Sequence, residues 1–80
     1  MLFQFLKQQR VKAGLTRNDV AKKLGYTSSK EILAWESGSA SPPVFQLKQI
    51  SDLYKADEVT LKRYYFHFRQ TKYNGALHDR

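Results

Sequence analysis

The sequence contains no cysteine, and its only two histidines lie far apart in the chain. Without thiols, the chain can form neither a disulfide framework nor a thiolate site for zinc or redox chemistry. We therefore expect no metal and no cofactor. Apolar runs are also short: residues 1–7 are too few for a signal peptide, and no later stretch approaches the length of a membrane span. These absences predict a cytoplasmic protein with no membrane-spanning segment.

Acidic residues are scarce too, with seven against fourteen basic ones, for a formal net charge of +7. The charge is segregated, because residues 1–30 carry a net +6, residues 31–61 a net −3 and residues 62–80 a net +4. A segregated positive charge favours a polyanionic partner, either nucleic acid or an anionic membrane surface. At 80 residues the chain is expected to form one domain with a modest core, which disfavours a large enzyme with a deep cleft.

The first thirteen residues show the apolar spacing of an amphipathic helix whose stripe faces inward. That stripe comprises Leu2, Phe3, Phe5, Leu6 and Val11. Gly14 is expected to end the helix in the left-handed conformation that helix C-termini often adopt. No alternation typical of β-strands competes with the helical pattern here or further along the chain.

Two short helices are predicted next. Thr16 can cap the first, Arg17 to Leu24, by accepting a hydrogen bond from the Asp19 N–H, and Gly25 ends it. The S-x-x-E pattern of Ser28 to Glu31 predicts a capping box, with Ser28 as the N-cap of a helix that covers residues 29–37. Together the two helices form a helix-turn-helix candidate over residues 16–37.

The rest of the chain predicts two further helices. Residues 37–43 are rich in serine, glycine and proline and predict a loop. From Val44, an apolar stripe through Leu47, Ile50, Leu53 and Tyr54 predicts a fourth helix. Asp57 is expected to cap a fifth, aromatic helix over residues 58–73, which Asn74 and Gly75 end. Residues 1–75 would then form the domain and residues 76–80 a flexible tail.

The helix-turn-helix candidate resembles the Cro/CI-type (XRE) family of phage repressors. The residues that carry the resemblance are Arg10, Gly14, Leu15, Thr16, Val20, Ala21, Leu24, Gly25, Ile32, Trp35, Glu36, Gly38 and Pro42. It covers roughly residues 6–61. It implies a compact, lambda-repressor-like bundle of five helices, a prokaryotic or phage transcriptional regulator, and binding to double-stranded operator DNA as a homodimer. It implies no enzymatic activity, no cofactor and no membrane partner.

The resemblance also implies which side chains contact DNA. The positions that match base-reading residues are Ser28, Ser29, Lys30, Leu33 and Ala34. Arg17 matches a position that clamps a phosphate, and Thr16, Thr27 and Ser39 are expected to add phosphate contacts. Lys30 has a competing interpretation as a solvated charge. Trp35 is expected in the core rather than as a base-stacking platform, and Arg10 in an ion pair with Glu36 or another acid.

The sequence departs from the family pattern at three places. The turn of residues 26–28 is one residue longer, the loop of residues 39–41 is neutral where the family is often basic, and Lys55 stands where glycine is common. Aromatic residues also continue beyond the usual core, and we expect some of them to form a dimer interface. That set is Tyr64, Tyr65, Phe66 and Phe68. An alternative function follows from the same residues: an antitoxin or phage accessory adaptor whose C-terminal helix binds another protein.

Overall fold

The computed structural model describes the backbone of residues 1–78 and the side chains of residues 1–69. Over the described backbone the structure is all-helical, with five α-helices and no strand, as the sequence predicted. The helices are α1 (Leu2–Lys12), α2 (Arg17–Leu24), α3 (Lys30–Ser37), α4 (Leu47–Tyr54) and α5 (Glu58–His78), and a 3-10 turn (Val44–Gln46) leads into α4.

The helices pack around one core. Helix α1 contacts α3, α4 and α5, helix α2 contacts α3 and α4, and α4 also packs on α5. The buried apolar residues are Leu2, Leu6, Val20, Ala21, Leu24, Ile32, Trp35, Leu47, Ile50, Tyr54, Leu61 and Tyr65. Every helix contributes at least one of them, so burial of apolar surface ties the short helices together. None of the helices described is long and apolar enough to cross a membrane.

Helix α1 is amphipathic, but its inward face differs from the predicted stripe. Leu2 and Leu6 are buried, whereas Val11 is 59% exposed and the expectation that it faces inward is wrong. Arg10 takes the inward position instead, one helical turn after Leu6, and is 8% exposed. A charged residue tolerates this position because it finds an acidic partner inside the bundle, described below. The helix ends as predicted, with Gly14 at a φ of +76°.

Helix α2 begins and ends at the predicted residues. The Thr16 side chain accepts a hydrogen bond from the Asp19 N–H at 3.0 Å, and the Asp19 carboxylate accepts one from the Thr16 N–H at 2.9 Å. This reciprocal pair is a complete capping box. At the other end Gly25 adopts a φ of +88°, a left-handed conformation that glycine reaches without the strain a β-carbon brings.

Helix α3 begins one residue later than predicted, at Lys30, with Ser29 as its N-cap. The predicted capping box of Ser28 and Glu31 is therefore wrong. The Ser28 hydroxyl instead accepts from the Lys30 N–H at 3.3 Å, and the first helical bond runs from the Leu33 N–H to the Ser29 carbonyl at 3.0 Å. Both serines therefore precede the first helical residue, and the S-x-x-E pattern does not mark where α3 begins.

The last two helices follow the predicted order. Asp57 caps α5 as expected, because its carboxylate accepts from the Thr60 N–H at 2.9 Å and from the Thr60 hydroxyl at 2.7 Å. Helix α5 continues past Asn74 and Gly75 to His78, so these residues do not end it. Glycine inside a helix costs only about 1 kcal/mol, which a long helix tolerates. Residues 79 and 80 of the predicted tail lie outside the described residues.

Candidate nucleic-acid interface

Helices α2 and α3 form a rigid pair whose second helix is fixed on the core by one face. Ala21 is 2% exposed between the two helices, where a larger side chain would separate them. Ile32, Trp35 and Glu36 turn inward from α3, and all three are buried. The opposite face of α3 is therefore held in a defined orientation toward solvent.

The predicted base-reading residues lie on this outward face and in the turn before it. Lys30 and Leu33 are exposed, Leu33 by 50%, and Ala34 is half-buried beside them. Ser28 is exposed and Ser29 half-buried, at the point where the turn enters α3. Three of the five residues thus lie on α3, and the other two lie directly before its first residue. An exposed leucine beside a lysine and two serines offers both apolar contact and hydrogen-bond donors to a ligand.

The turn between α2 and α3 is anchored by Tyr26. Its ring meets the edge of Trp35 with ring centres 5.7 Å apart, and its hydroxyl donates a hydrogen bond to the Gln46 side chain. Gln46 in turn donates to the Leu24 carbonyl at 3.3 Å. Burial raises the pKa of Tyr26, which keeps the hydroxyl protonated as a donor. Tyr26, the first residue of the turn after Gly25, is thereby joined to α3 and to the segment before α4.

The four predicted phosphate-contact residues lie at the start of α2 and in the segments before and after α3. Thr16, Thr27 and Ser39 are exposed, and Arg17 is half-buried at the first position of α2. The Thr16 hydroxyl oxygen is engaged in the capping box, and its O–H remains a potential donor. The Ser39 hydroxyl lies 3.0 Å from that of Ser37.

A buried carboxylate joins three of the helices. Glu36 of α3 accepts two hydrogen bonds from Arg10 of α1, from Nε at 2.6 Å to Oε2 and from an Nη nitrogen at 3.1 Å to Oε1. Its Oε1 also accepts from Nε of Arg17, on α2, at 3.0 Å. The bond to Glu36 raises the pKa of Arg10 above its ordinary value. The predicted Arg10–Glu36 pair is confirmed, and Arg17 is a second partner that was not predicted.

Comparison with known families identifies the domain. The family model of a helix-turn-helix domain matches residues 2–63, which include all of α1 to α4 and the start of α5. The chain belongs to this family of helix-turn-helix DNA-binding domains. No curated protein and no solved structure matches the chain.

Helices α2 and α3 lie within the matched residues and are the pair that the sequence predicted as the helix-turn-helix. In such motifs the second helix enters the major groove while the first crosses the phosphate backbone. Here the second helix is α3, whose outward face holds Lys30, Leu33 and Ala34. Ser37 lies on the same exposed face, three residues after Ala34 and four after Leu33, and the sequence analysis did not include it. Its helical spacing from those two residues was the signal that could have found it.

The aromatic residues of α5 are spread over different environments of the helix-turn-helix domain. Tyr65 is 2% exposed and lies inside the core, so its ring is not on the surface where a second subunit would meet it. Tyr64 stacks on Phe5 of α1 with ring centres 4.8 Å apart, and Phe68 is half-buried against the core. Of the four predicted interface residues, only Phe66 is largely exposed, at 55%. Three of the four aromatic residues thus pack in or against the core, which is more than the small size of the chain suggested.

Phe45 is an exposed aromatic residue that the sequence analysis missed. It is 80% exposed in the 3-10 turn before α4, next to Val44 at 54%. The predicted apolar stripe placed Val44 at the start of α4, but the 3-10 turn rotates both residues away from the core. Pro43 before them is in an extended conformation with a φ of −60° and a ψ of 141°.

Proposed function

We propose that this helix-turn-helix domain is a sequence-specific transcriptional regulator of the Cro/CI (XRE) type from a prokaryote or a phage. In this proposal it acts in the cytoplasm as a repressor, occluding a promoter by binding a palindromic operator as a homodimer. The observation that carries it is the outward face of α3, where Lys30 and Leu33 are exposed while Ile32 and Trp35 fix the helix on the core.

We call Ser28, Ser29, Lys30, Leu33 and Ala34 the reading face, and each of them has a chemical role in this proposal. Lys30 donates hydrogen bonds to O6 and N7 of guanine, the acceptors that distinguish this base in the major groove. Leu33 and Ala34 contact the methyl group of thymine, which is apolar and reached only from the same groove. Ser28 and Ser29 hydrogen-bond to either a base edge or a phosphate, since a hydroxyl both donates and accepts.

The phosphate contacts set affinity rather than sequence preference in this proposal. Arg17 binds a backbone phosphate through its guanidinium, and Thr16, Thr27 and Ser39 add hydroxyl donors. The neutral loop of residues 39–41 contributes no charge, so binding depends most on the cations of residues 1–30. Because each neutralised phosphate releases counterions, affinity falls steeply as salt increases.

A homodimer gives the palindromic operator its physical basis. Two copies related by a two-fold axis place their α3 helices about 34 Å apart, one turn of the DNA helix. The exposed Phe66 and the partly exposed Tyr64 and Phe68 supply apolar surface for such contact, whereas Tyr65 serves the core.

The adaptor hypothesis stays as a second candidate because of one surface on α5. Val59 and Phe66, 59% and 55% exposed, line a shallow groove together with Lys62, Arg63 and His67. In that function a protein partner occupies the groove, and DNA binding is secondary. A pull-down with the Phe66→Ser variant distinguishes the two candidates. Loss of a stoichiometric protein partner, in a protein with no preference among DNA sequences, favours the adaptor.

Two substitutions test the DNA-reading assignment. We expect Lys30→Ala to relax the preference at one base pair, because it removes a donor to a base edge. We expect Arg17→Ala to weaken binding to all DNA sequences by the same factor, because the phosphate is the same at every base pair. Affinity for a panel of single-base-pair variants of a selected duplex measures both effects. Unchanged affinity in both variants means that α3 is not the reading helix.

A further inference from the structure

Arg17 and its contact with Glu36 have a geometry that goes beyond a stabilising ion pair. Only Nε of Arg17 is hydrogen-bonded to Glu36. Its two Nη groups make no hydrogen bond among the described residues, and the side chain is 38% exposed. Arg10, by contrast, has Nε and both terminal nitrogens engaged, two of these on Glu36 and one on the Leu15 carbonyl at 2.8 Å.

The charges of the three residues do not cancel. Two guanidinium groups surround one carboxylate, so the cluster retains one positive charge. Arg10 and Glu36 have side chains only 9% and 2% exposed, so the cluster reaches solvent through Arg17. The excess charge is thus presented by the half-buried Arg17, the first residue of α2, and it can meet a phosphate without depriving Glu36 of a cation.

The backbone that carries Arg17 is fixed as well. Arg17 is the first residue of α2, directly after Thr16, and the capping box between Thr16 and Asp19 fixes that turn. The hydrogen bond from Nε to Glu36 fixes the guanidinium group of Arg17 against α3. An arginine held at both ends loses less conformational freedom when it binds a phosphate than a free arginine does.

We propose that Glu36 is a positioning residue for DNA binding, which holds Nε of Arg17 so that the two Nη groups face a backbone phosphate. The proposal rests on the DNA binding described under the proposed function, but it does not depend on sequence specificity. It assigns two tasks to one buried carboxylate: Glu36 neutralises Arg10 inside the bundle and orients Arg17 at its surface. An arginine suits the second task because its planar group binds two partners at once.

The test measures affinity and its salt dependence on double-stranded DNA of random sequence. We expect Arg17→Ala to weaken binding about 5- to 10-fold and to reduce the slope of log affinity against log salt by about 1. We expect Arg17→Lys to lose most of the same affinity although it keeps the charge, because an ammonium group has no planar set of separate donors that could bond Glu36 on one side and a phosphate on the other. Lys23→Ala, which removes an exposed cation, is the control for the loss of a charge alone.

Glu36→Gln is the sharper variant, because electrostatics alone and positioning predict opposite signs. If electrostatics alone acts, removing the negative charge of Glu36 strengthens binding, because it removes a repulsion of the DNA phosphates. Loss of positioning weakens it, by several-fold in the otherwise unchanged protein and not at all in the Arg17→Ala background. Thermal unfolding followed by circular dichroism shows whether each variant is folded. If Glu36→Gln does not fold, Arg17→Lys decides, since it leaves Arg10 and Glu36 paired.

The outcomes separate the two proposals. Wild-type affinity and salt slope in Arg17→Lys, tighter binding in Glu36→Gln, or an equal effect of Glu36→Gln in both backgrounds overturns the positioning role. A protein that binds random DNA with the expected variant effects but shows no preferred sequence supports the positioning role and contradicts the specific regulator. A protein that binds no DNA in any of these assays overturns both.

Discussion

At the scale of single residues, Lys55 is in an unusual conformation for a residue with a side chain. It caps the end of α4 with a φ of +53° and a ψ of 39°, the left-handed region that glycine usually occupies. The Ala56 N–H donates to the Ser51 carbonyl at 2.9 Å, which closes the end of the helix around it. The fold therefore requires a left-handed residue here, and a lysine accepts the strain.

We predict that Lys55→Gly raises the free energy of unfolding by up to about 1 kcal/mol. The substitution removes the clash of the β-carbon in the left-handed conformation, and the greater freedom of glycine in the unfolded chain offsets part of the gain. Urea denaturation measures the change. Lys55→Ala is the matched control, since it loses the same charge and keeps the β-carbon. Equal stability of the two variants would show that no strain resides at this position.

Residue-level predictions from sequence succeeded where both partners could be named from type and motif. Arg10 and Glu36 are a buried cation and a buried anion, and their pairing was predicted. Arg17 was predicted to bind a phosphate, but its contact with Glu36 depends on how α2 crosses α3, which local sequence does not encode. Val11 was predicted to be buried from helical spacing alone. It is exposed, and Arg10 faces inward instead because it pairs with Glu36.

At the scale of helices, the same kind of capping signal was right twice and wrong once. Thr16 with Asp19 and Asp57 with Thr60 form the local bonds that start α2 and α5. Ser28 does not form such a box, because the position of α3 is set by its packing and by the anchored turn before it. Helix order and type were thus predictable, and the first residue of α3 was not, since tertiary contacts decide it.

The two successful caps make stability depend on pH in the acid range. Hydrogen bonds from the Thr16 backbone lower the pKa of Asp19, and those from the Thr60 side chain and backbone lower the pKa of Asp57, from an ordinary value of 3.8. Each carboxylate therefore contributes stability that is fully present above pH ~4 and is lost as the pH falls through its lowered pKa.

We predict that the free energy of unfolding falls below pH ~4 and that Asp57→Asn reduces this fall, because one titrating cap is gone. Chemical denaturation at a series of pH values between about 2 and 6 measures the slope. Asp52→Asn is the control, since Asp52 is an exposed acid 3.9 Å from Lys48 that caps no helix. A slope that is equally steep in Asp57→Asn and in the unchanged protein contradicts the capping account.

At the scale of the whole molecule, burial and charge divide the domain into a core that fixes helices and a surface that meets a polyanion. The core and the Arg10–Glu36 pair hold α3 against α1, and the net positive charge of the sequence is concentrated in residues 1–30, which include all of α2. The bundle and the division of α3 into a buried face and an exposed face were predictable because both follow from helical spacing. Which aromatic residues of α5 are buried was not predictable, since their burial depends on how much interior a domain of this size provides.

Whether α3 reads DNA sequence in a homodimer can be measured by selecting bound duplexes from a pool of random DNA. We expect a two-fold symmetric consensus whose half-sites are about one helical turn apart, because a homodimer presents two α3 helices to successive major grooves. The same selection with Lys30→Ala is expected to lose information at one base pair of each half-site. Enrichment without any preferred sequence, from a protein that is folded and binds DNA, would contradict the assignment of α3 as a reading helix.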